Sequence, residues 1–262
     1  MGNVQPALNR LRQSLAGIDP SLDPALPDRA REVGIGAGID PVLGGGLCCG
    51  AFHELAPAGP IHLAAATGFA MALTALASRE RGHTLWIATD FAACEAGGPY
   101  APGLDRFGFD AERLVMLRVP RPVDALWAME EALRCGALSG VVAELTADGP
   151  DADLTATRRF ALAAREAKGS TLGLLLRHRA TPMPSAAATR WEISAAASQP
   201  DRFGGLGAAR FDLALSKNRR GPCGRWTVTW DHHDHVFHPA LPVGVAKTAL
   251  DRPDRALLGR AG

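Results

Sequence analysis

The pattern of hydrophobic positions changes character about two thirds of the way along the chain. Four short apolar runs, at 84–89, 114–119, 140–145 and 171–176, show no alternation with polar residues. Amphipathic helical patterns separate them. Unalternating runs are typical of strands that are buried on both faces of a parallel sheet. The first two thirds of the chain therefore predict a doubly wound α/β core.

Two of the intervening helices have recognisable starts. The first, over 122–135, opens with Pro122 and carries Asp124 in its first turn, which suits a helix N-terminus. Its apolar positions are predicted to share one face: Val123, Leu126, Trp127 and Leu133. The second begins after Asp153, a suitable N-cap residue, and places Phe160 among alanines on one face.

Strict alternation begins only near the carboxyl end. Residues 211–216 (FDLALS) and 225–230 (RWTVTW) alternate with period two, and the turn-rich string KNRRGPCG joins them. This arrangement predicts an antiparallel hairpin at the edge of the sheet. Trp226, Val228 and Trp230 point to the same side of their strand, which favours inward packing for the tryptophans.

The amino-terminal segment carries a separate signal. Leu8, Leu11 and Leu15 form one apolar stripe on a predicted helix at 1–18, and a linker rich in proline and aspartate follows at 19–30. The core is then expected at 31–240 and a flexible tail at 241–262. The leucine stripe fits docking on a partner protein and docking on its own core equally well.

Composition narrows the class of protein. Of 262 residues 47% are hydrophobic, and 28 Lys and Arg against 27 Asp and Glu leave a net charge of +1, so any basic surface must be local. Five cysteines without metal-ligand spacing, together with a polar amino terminus, predict free thiols in the cytoplasm.

The alanine-rich stretch 61–77 is expected to form a buried helix and not a membrane span. The histidine-rich segment 232–238 has no clear fourth ligand, so we expect no metal and no cofactor.

A glycine-rich string at 34–40 (GIGAGID) looks like a dinucleotide-binding motif but does not satisfy one. The position of the third glycine holds Ile39, and no strand precedes the string. We expect a turn-rich entry to the core instead.

The next segment resembles the start of a RecA-type ATPase core. Residues 43–50 (LGGGLCCG) lead into a short strand at 51–55, where the family continues into a phosphate-binding loop of the form GxxxxGK[ST]. Here residues 56–68 read APAGPIHLAAATG, without lysine, and Pro57 and Pro60 each lack an N–H donor. The resemblance implies a degenerate nucleotide site, formed by Ala58, Gly59, Ala66, Thr67, Gly68, Asp90 and Glu144. Asp90 and Glu144 end strands where the family carries its catalytic glutamate and magnesium-binding aspartate, and we expect both to be relics of catalysis.

One subfamily of RecA-like proteins resembles this sequence more closely than the RecA-type ATPases do. The strings at 43–54 (LGGGLCCGAFHE), at 64–70 (AAATGFA, without lysine) and at 215–230 (LSKNRRGPCGRWTVTW) together resemble the ImuA family of RecA-like mutasome accessory proteins. This resemblance implies a non-enzymatic adaptor in SOS-induced translesion synthesis. The implied partners are ImuB, an inactive Y-family polymerase homologue, RecA, and an error-prone replicative-type polymerase.

Two groups of basic residues are candidates for contact with single-stranded DNA. One lies in the segment 177–190, where RecA-like proteins touch DNA, and contains Arg177, Arg179 and Arg190. The other surrounds the predicted hairpin turn and contains Lys217, Arg219, Arg220 and Arg225. The first segment equally resembles an ordinary surface loop, and the second group equally suits solvation of a sheet edge.

Two other functions remain open at this stage. A division inhibitor of the SulA type would bind the tubulin-like ring protein FtsZ, but such chains are shorter and lack the hairpin motif. An ATPase with an unconventional phosphate loop is the second alternative, and the missing lysine disfavours it.

Overall fold

A nine-stranded mixed sheet organises the part of the chain that the computed structural model describes, which is residues 31–79, 82–146, 152–166, 171–198, 200, 205 and 207–240. Our predictions for Leu8, Leu11 and Leu15, for the linker 19–30 and for the tail 241–262 lie outside these residues.

The strands are β1 (Glu32–Val33), β2 (Leu47–Cys48), β3 (Ala51–Pro57), β4 (His83–Thr89), β5 (Leu114–Val119), β6 (Leu138–Leu145), β7 (Leu172–Arg177), β8 (Thr189–Ala195), β9 (Arg210–Asn218), β10 (Gly224–Asp231) and β11 (Val236–Pro239). The α-helices are α1 (Asp40–Leu43), α2 (Leu63–Ser78), α3 (Asp90–Ala96), α4 (Ala101–Arg106), α5 (Pro122–Arg134) and α6 (Leu154–Glu166). Two 3₁₀ turns cover Pro60–His62 and Ala111–Arg113.

The sheet has the order β11-β10-β9-β8-β3-β7-β6-β4-β5. Strands β8, β3, β7, β6, β4 and β5 are parallel to one another, whereas β8 to β11 pair antiparallel. Strands β1 and β2 form a separate antiparallel pair. The predicted fold class, a mostly parallel α/β sheet with a carboxyl-terminal antiparallel hairpin, is confirmed, and β11 extends the hairpin to a third strand.

Helices cover both faces of the parallel half. On one face α2 and residues 33–49 pack into a cluster that includes Phe69, Trp191 and Trp230. On the other face α5 and α6 enclose a second cluster around Phe52 and Phe160, whose rings meet edge to face at 5.6 Å. Each fully buried side chain of this size contributes about 2–3 kcal/mol of transfer free energy. The doubly wound prediction therefore holds for the parallel half.

Helix α2 has the composition of a membrane span but a different environment. By length and mean hydropathy, 1.5 over Pro60–Ser78, it is the one candidate span among the described residues. In the fold it lies against β3, β6 and β8, and 56% of its apolar window is buried.

The prediction of which α5 residues face the core is partly wrong. Val123 and Trp127 are 52% and 62% exposed, whereas Ala125, Met129 and Leu133 are buried against the sheet. Alanines at 125, 128 and 132 let the helix backbone approach the sheet closely, so the small-residue stripe faces inward. The larger Trp127 is left at the surface.

Strand β8 was not predicted, because the sequence pattern of residues 177–190 indicated a loop. The segment 189–195 (TRWEISA) alternates, with Trp191 and Ile193 buried and the intervening Glu192 only half-buried. Arg190 is therefore a strand residue between β3 and β9 and not a loop residue. The histidines at 232, 233 and 235 lie in the turn between β10 and β11.

Two motifs of the sequence contact each other in the fold. Arg220 donates from Nη1 to Glu32 Oε1 at 2.7 Å and from Nη2 to the Gly44 carbonyl at 3.3 Å. Asn218 Nδ2 donates to the carbonyls of Val42 and Pro222, both at 3.0 Å. We call this set of bonds the clasp. It fastens the LGGG turn at 43–46 to the KNRRGP turn at 217–222.

The glycines of the LGGG turn are required by backbone geometry. Gly44, Gly45 and Gly46 have φ values of 79°, 127° and 146°. A Cβ on Gly46 would lie 2.6 Å from the Val33 carbonyl oxygen, a backbone atom that cannot rotate away.

Replacement of Gly46 by alanine is expected to lower the free energy of unfolding by at least about 2 kcal/mol, since strain at positive φ adds to the clash. Chemical denaturation measures this loss. Gly98→Ala is the matched control, because nothing lies within 4 Å of its added Cβ, and its cost should stay within about 0.5 kcal/mol. Equal losses in the two variants would contradict the steric account of the turn.

Candidate functional site

The connection from β3 to α2 stands where a RecA-type core carries its phosphate loop. Only Ala58 and Gly59 separate Pro57, the last residue of β3, from the 3₁₀ turn Pro60–His62 that leads into the helix. The Ala58 amide donates to the Ile193 carbonyl at 2.9 Å, and the two prolines have no amide hydrogen. Few backbone donors therefore face the position that a phosphate would occupy.

Only some of the residues predicted for a degenerate nucleotide site lie together. Thr67 and Gly68 line a pocket together with Glu144. Ala66 is a fully buried residue of α2, and Asp90 is exposed at the start of α3, where it pairs with Arg118 at 3.5 Å. Ala58 lines a different groove on the antiparallel half of the sheet, and Gly59 precedes the 3₁₀ turn without lining the pocket. The structure brings together Thr67, Gly68 and Glu144 only.

The pocket beside α2 has a volume of about 220 Å³ and mainly apolar walls. Trp86 of β4, Tyr100 and Phe107 supply aromatic side chains, and the 97–99 loop (GGP) supplies backbone. We call this cavity the Glu144 pocket. Its aromatic residues were not predicted from the sequence, because they come from separate segments that only the topology unites.

The carboxylate of Glu144 is 3% exposed and is held by two N–H groups. Trp86 Nε1 donates to Oε2 at 3.2 Å, and His178 Nε2 lies 2.7 Å from Oε1. Because a carboxylate only accepts hydrogen bonds, the His178 ring carries its hydrogen on Nε2. These bonds fix the orientation of the carboxylate at the pocket wall.

Glu54, on the central strand β3, lies between two of the arginines predicted to contact DNA. Arg177 on β7 donates from Nη2 to Glu54 Oε1 at 3.1 Å, and Arg190 on β8 donates from Nε to Oε2 at 2.7 Å. The carboxylate is 1% exposed and Arg177 is 5% exposed. We call these three residues the Glu54 ion cluster. Both guanidinium groups, which were candidates for contact with DNA, therefore have an internal carboxylate partner.

Two more of the predicted basic residues also have internal partners. Lys217 donates from Nζ to the Ser185 carbonyl. Burial, with smaller effects of Arg219 and Arg190, lowers the pKa of Lys217 to about 8. Arg220 belongs to the clasp.

Four of the predicted basic residues are exposed: Arg179, Arg219, Arg225 and the clasp residue Arg220. Arg225 lies in a groove of about 370 Å³ on the antiparallel half of the sheet, beside Glu192 and Asp212. Charges of both signs therefore line this groove.

The hairpin tryptophans pack inward, as their parity predicted. Trp230 is buried and donates from Nε1 to the Arg106 carbonyl at 3.1 Å. Trp226 is half-buried, with its ring centroid 6.0 Å from that of Trp191. The Trp230 ring is therefore engaged in the core, whereas Trp226 packs on Trp191 and also lines the groove beside Arg225. Within the described residues, no group of three His, Cys, Asp or Glu side chains is arranged to hold a metal ion.

Comparisons with known proteins give a fold and a family. No family model matches the chain. The solved structure of the RadB recombinase superposes with a TM-score of 0.54 and covers 80% of this chain and 100% of that one, at 15% identity. The fold is therefore RecA-like.

Two curated relatives, both named Protein ImuA, come from strains NA1000/CB15N and ATCC 19089 of Caulobacter vibrioides. Each is 34% identical to this chain over 214 residues, which make up 75% of this chain and 81% of the relative. The chain therefore belongs to the ImuA family.

Proposed function

We propose that this chain is a non-enzymatic, RecA-like adaptor of SOS-induced translesion DNA synthesis in the cytoplasm. It binds an ImuB-like homologue of Y-family polymerases, RecA, or both, in a complex with an error-prone replicative-type polymerase. Membership of the ImuA family and the RecA-like fold support this role.

The observation that carries the proposal is the connection between β3 and α2. Phosphoryl transfer needs backbone N–H groups and a lysine around the phosphates, together with a hydroxyl group and a carboxylate for the magnesium ion. Residues 56–68 contain no lysine, two of them are prolines, and the Ala58 amide already bonds to β8. A chain with this connection keeps the sheet of an ATPase and serves as a binding scaffold.

We expect the purified protein neither to bind nor to hydrolyse ATP. Calorimetric titration with ATP and magnesium should give no saturable heat up to about millimolar nucleotide, because nothing in the loop neutralises the phosphates. Micromolar affinity, with magnesium-dependent phosphate release that Glu144→Ala abolishes, would contradict the proposal and indicate an unconventional ATPase.

The leucine stripe at the amino terminus is proposed as a partner-binding element. Its three residues, Leu8, Leu11 and Leu15, precede a linker that spans about 30 Å when extended, enough to reach another protein. A helix this short is marginal alone and folds best against a surface.

Changing the three leucines to serine is therefore expected to weaken binding to the ImuB-like partner or to a RecA filament by about tenfold or more, as loss of a few buried leucines does. Surface plasmon resonance measures the affinity for the partner. The melting temperature of the variant should equal that of the wild type. A variant that melts several degrees earlier yet binds its partner normally would show that the stripe packs on its own core.

Direct contact with single-stranded DNA is proposed only through Arg179, Arg219 and Arg225. These three side chains are exposed and lie outside the clasp. Arg177, Arg190 and Lys217 are buried or half-buried on internal partners, and the exposed Arg220 bonds to Glu32 in the clasp. Exposed cations provide the sequence-independent attraction that phosphates require.

A further inference from the structure

The Glu144 pocket has a charge opposite to that of a nucleotide site. Its wall presents one buried carboxylate, and none of the described residues that line it is lysine or arginine. A phosphate group placed there would face the negative charge of a buried carboxylate in surroundings of low dielectric constant. A cation would be attracted for the same reason.

Glu144 has hydrogen-bonding capacity left for such a cation. A carboxylate offers about four lone-pair positions, and the two N–H groups of Trp86 and His178 occupy one on each oxygen. A guanidinium donates two parallel N–H bonds to a carboxylate and stacks on aromatic faces, whereas an ammonium is more strongly hydrated.

The pocket walls suit the flat faces of a guanidinium. Tyr100 is 74% exposed at the pocket and Phe107 is half-buried in it. A cation within about 6 Å of such rings gains further attraction from their π electrons. The volume of about 220 Å³ lies below the range of roughly 300–1,000 Å³ that whole small-molecule ligands occupy, so it fits one side chain.

From this complementarity of charge, shape and size, we infer that the Glu144 pocket receives an arginine side chain of a protein partner. The inference rests on the proposed adaptor function and names the chemistry by which the adaptor recognises its partner. The pocket that contains Thr67, Gly68 and Glu144, three residues predicted for a nucleotide site, then holds a cation.

The experiment titrates N-acetyl-arginine N-methylamide into isotope-labelled protein and follows the indole N–H signal of Trp86, assigned with Trp86→Phe. This N–H donates to Glu144, so it reports occupancy directly. We expect a saturable shift with a dissociation constant of about a millimolar, the range for a single side chain. The neutral citrulline analogue should bind at least about tenfold more weakly.

Variants separate the site from non-specific attraction. Glu144→Gln should weaken binding about tenfold, whereas Glu112→Gln, at an exposed glutamate outside the pocket, should have no effect. Tyr100→Ala provides a second test that spares the buried carboxylate, and it should weaken binding several-fold. No saturable shift, equal affinity for citrulline, or full affinity in Glu144→Gln would overturn the inference.

Two further measurements separate this inference from the proposed function. Magnesium ATP that displaces the arginine probe from the pocket would contradict both. An ImuB-like partner that binds wild type and Glu144→Gln equally would overturn the arginine pocket and leave the adaptor role standing. If no partner binds, the adaptor role fails, and the probe titration alone decides the chemistry of the pocket.

Discussion

Replacing Glu54 by alanine should reduce the free energy of unfolding by about 3–5 kcal/mol, the usual cost of removing one partner from a buried ion pair. The substitution would leave the guanidinium groups of Arg177 and Arg190 inside the sheet without their carboxylate. Lys217 would lose a favourable charge as well, since Glu54 raises its pKa against the effect of burial.

Urea denaturation measures this loss, and Glu131→Ala is its control. Glu131 also pairs with an arginine, Arg134 at 2.7 Å, but its side chain is 51% exposed. Removal of such a surface pair costs about 0–1 kcal/mol. Similar losses at the two positions would show that the Glu54 ion cluster is hydrated and not a buried network.

Acid should destabilise the protein through His53, one residue before Glu54 on β3. Its ring is buried between the Thr189 hydroxyl, 2.8 Å from Nδ1, and the Cys48 carbonyl, 3.1 Å from Nε2. Burial lowers the pKa of His53 from 6.5 to about 4, despite the bond to Cys48 that raises it. The folded protein therefore keeps this ring neutral where the unfolded chain protonates it.

Between pH 6.5 and pH 4 the unfolded state binds more protons than the folded state, so stability falls as the pH falls. The contribution of His53 should decrease by about 3 kcal/mol between pH 7 and pH 4, at 1.36 kcal/mol for each pKa unit. Denaturation curves of wild type and His53→Gln should diverge by this amount, since glutamine does not titrate and all other groups are shared. Parallel pH profiles for the two proteins would refute this assignment.

The strands were predicted correctly from the sequence where the local pattern and the tertiary packing agree. The unalternating runs became β4, β5, β6 and β7. Burial on both faces accounts for the apolar runs of β4, β6 and β7, whereas β5 is an edge strand with Val115 and Met116 exposed. Strand β8 was missed although Trp191 and Ile193 alternate with polar residues. Arg177 and Arg190, which flank the preceding segment, suggested an exposed basic loop.

The candidate site was much harder to predict. Glu54 is separated from Arg177 by 123 positions and from Arg190 by 136, so no local signal shows that these arginines are buried and paired. The same holds for Trp86 and Glu144, which lie 58 positions apart and form one wall of a pocket. Such pairings follow from strand order, which a single sequence specifies only indirectly.

The clasp has a consequence for how the chain folds. Glu32 and Arg220 are separated by 188 positions, so the bonds that fasten the start of the core form only after the turn between β9 and β10 has been made. Contacts this distant in sequence slow folding, because a long loop must close before they form. During synthesis Glu32 and Gly44 gain their bonds to Arg220 only after residues 217–222 leave the ribosome. A product truncated before Asn218 would therefore lose order at both ends of the core. A chaperone or protease would then encounter the β1–β2 segment as well as the truncated carboxyl end.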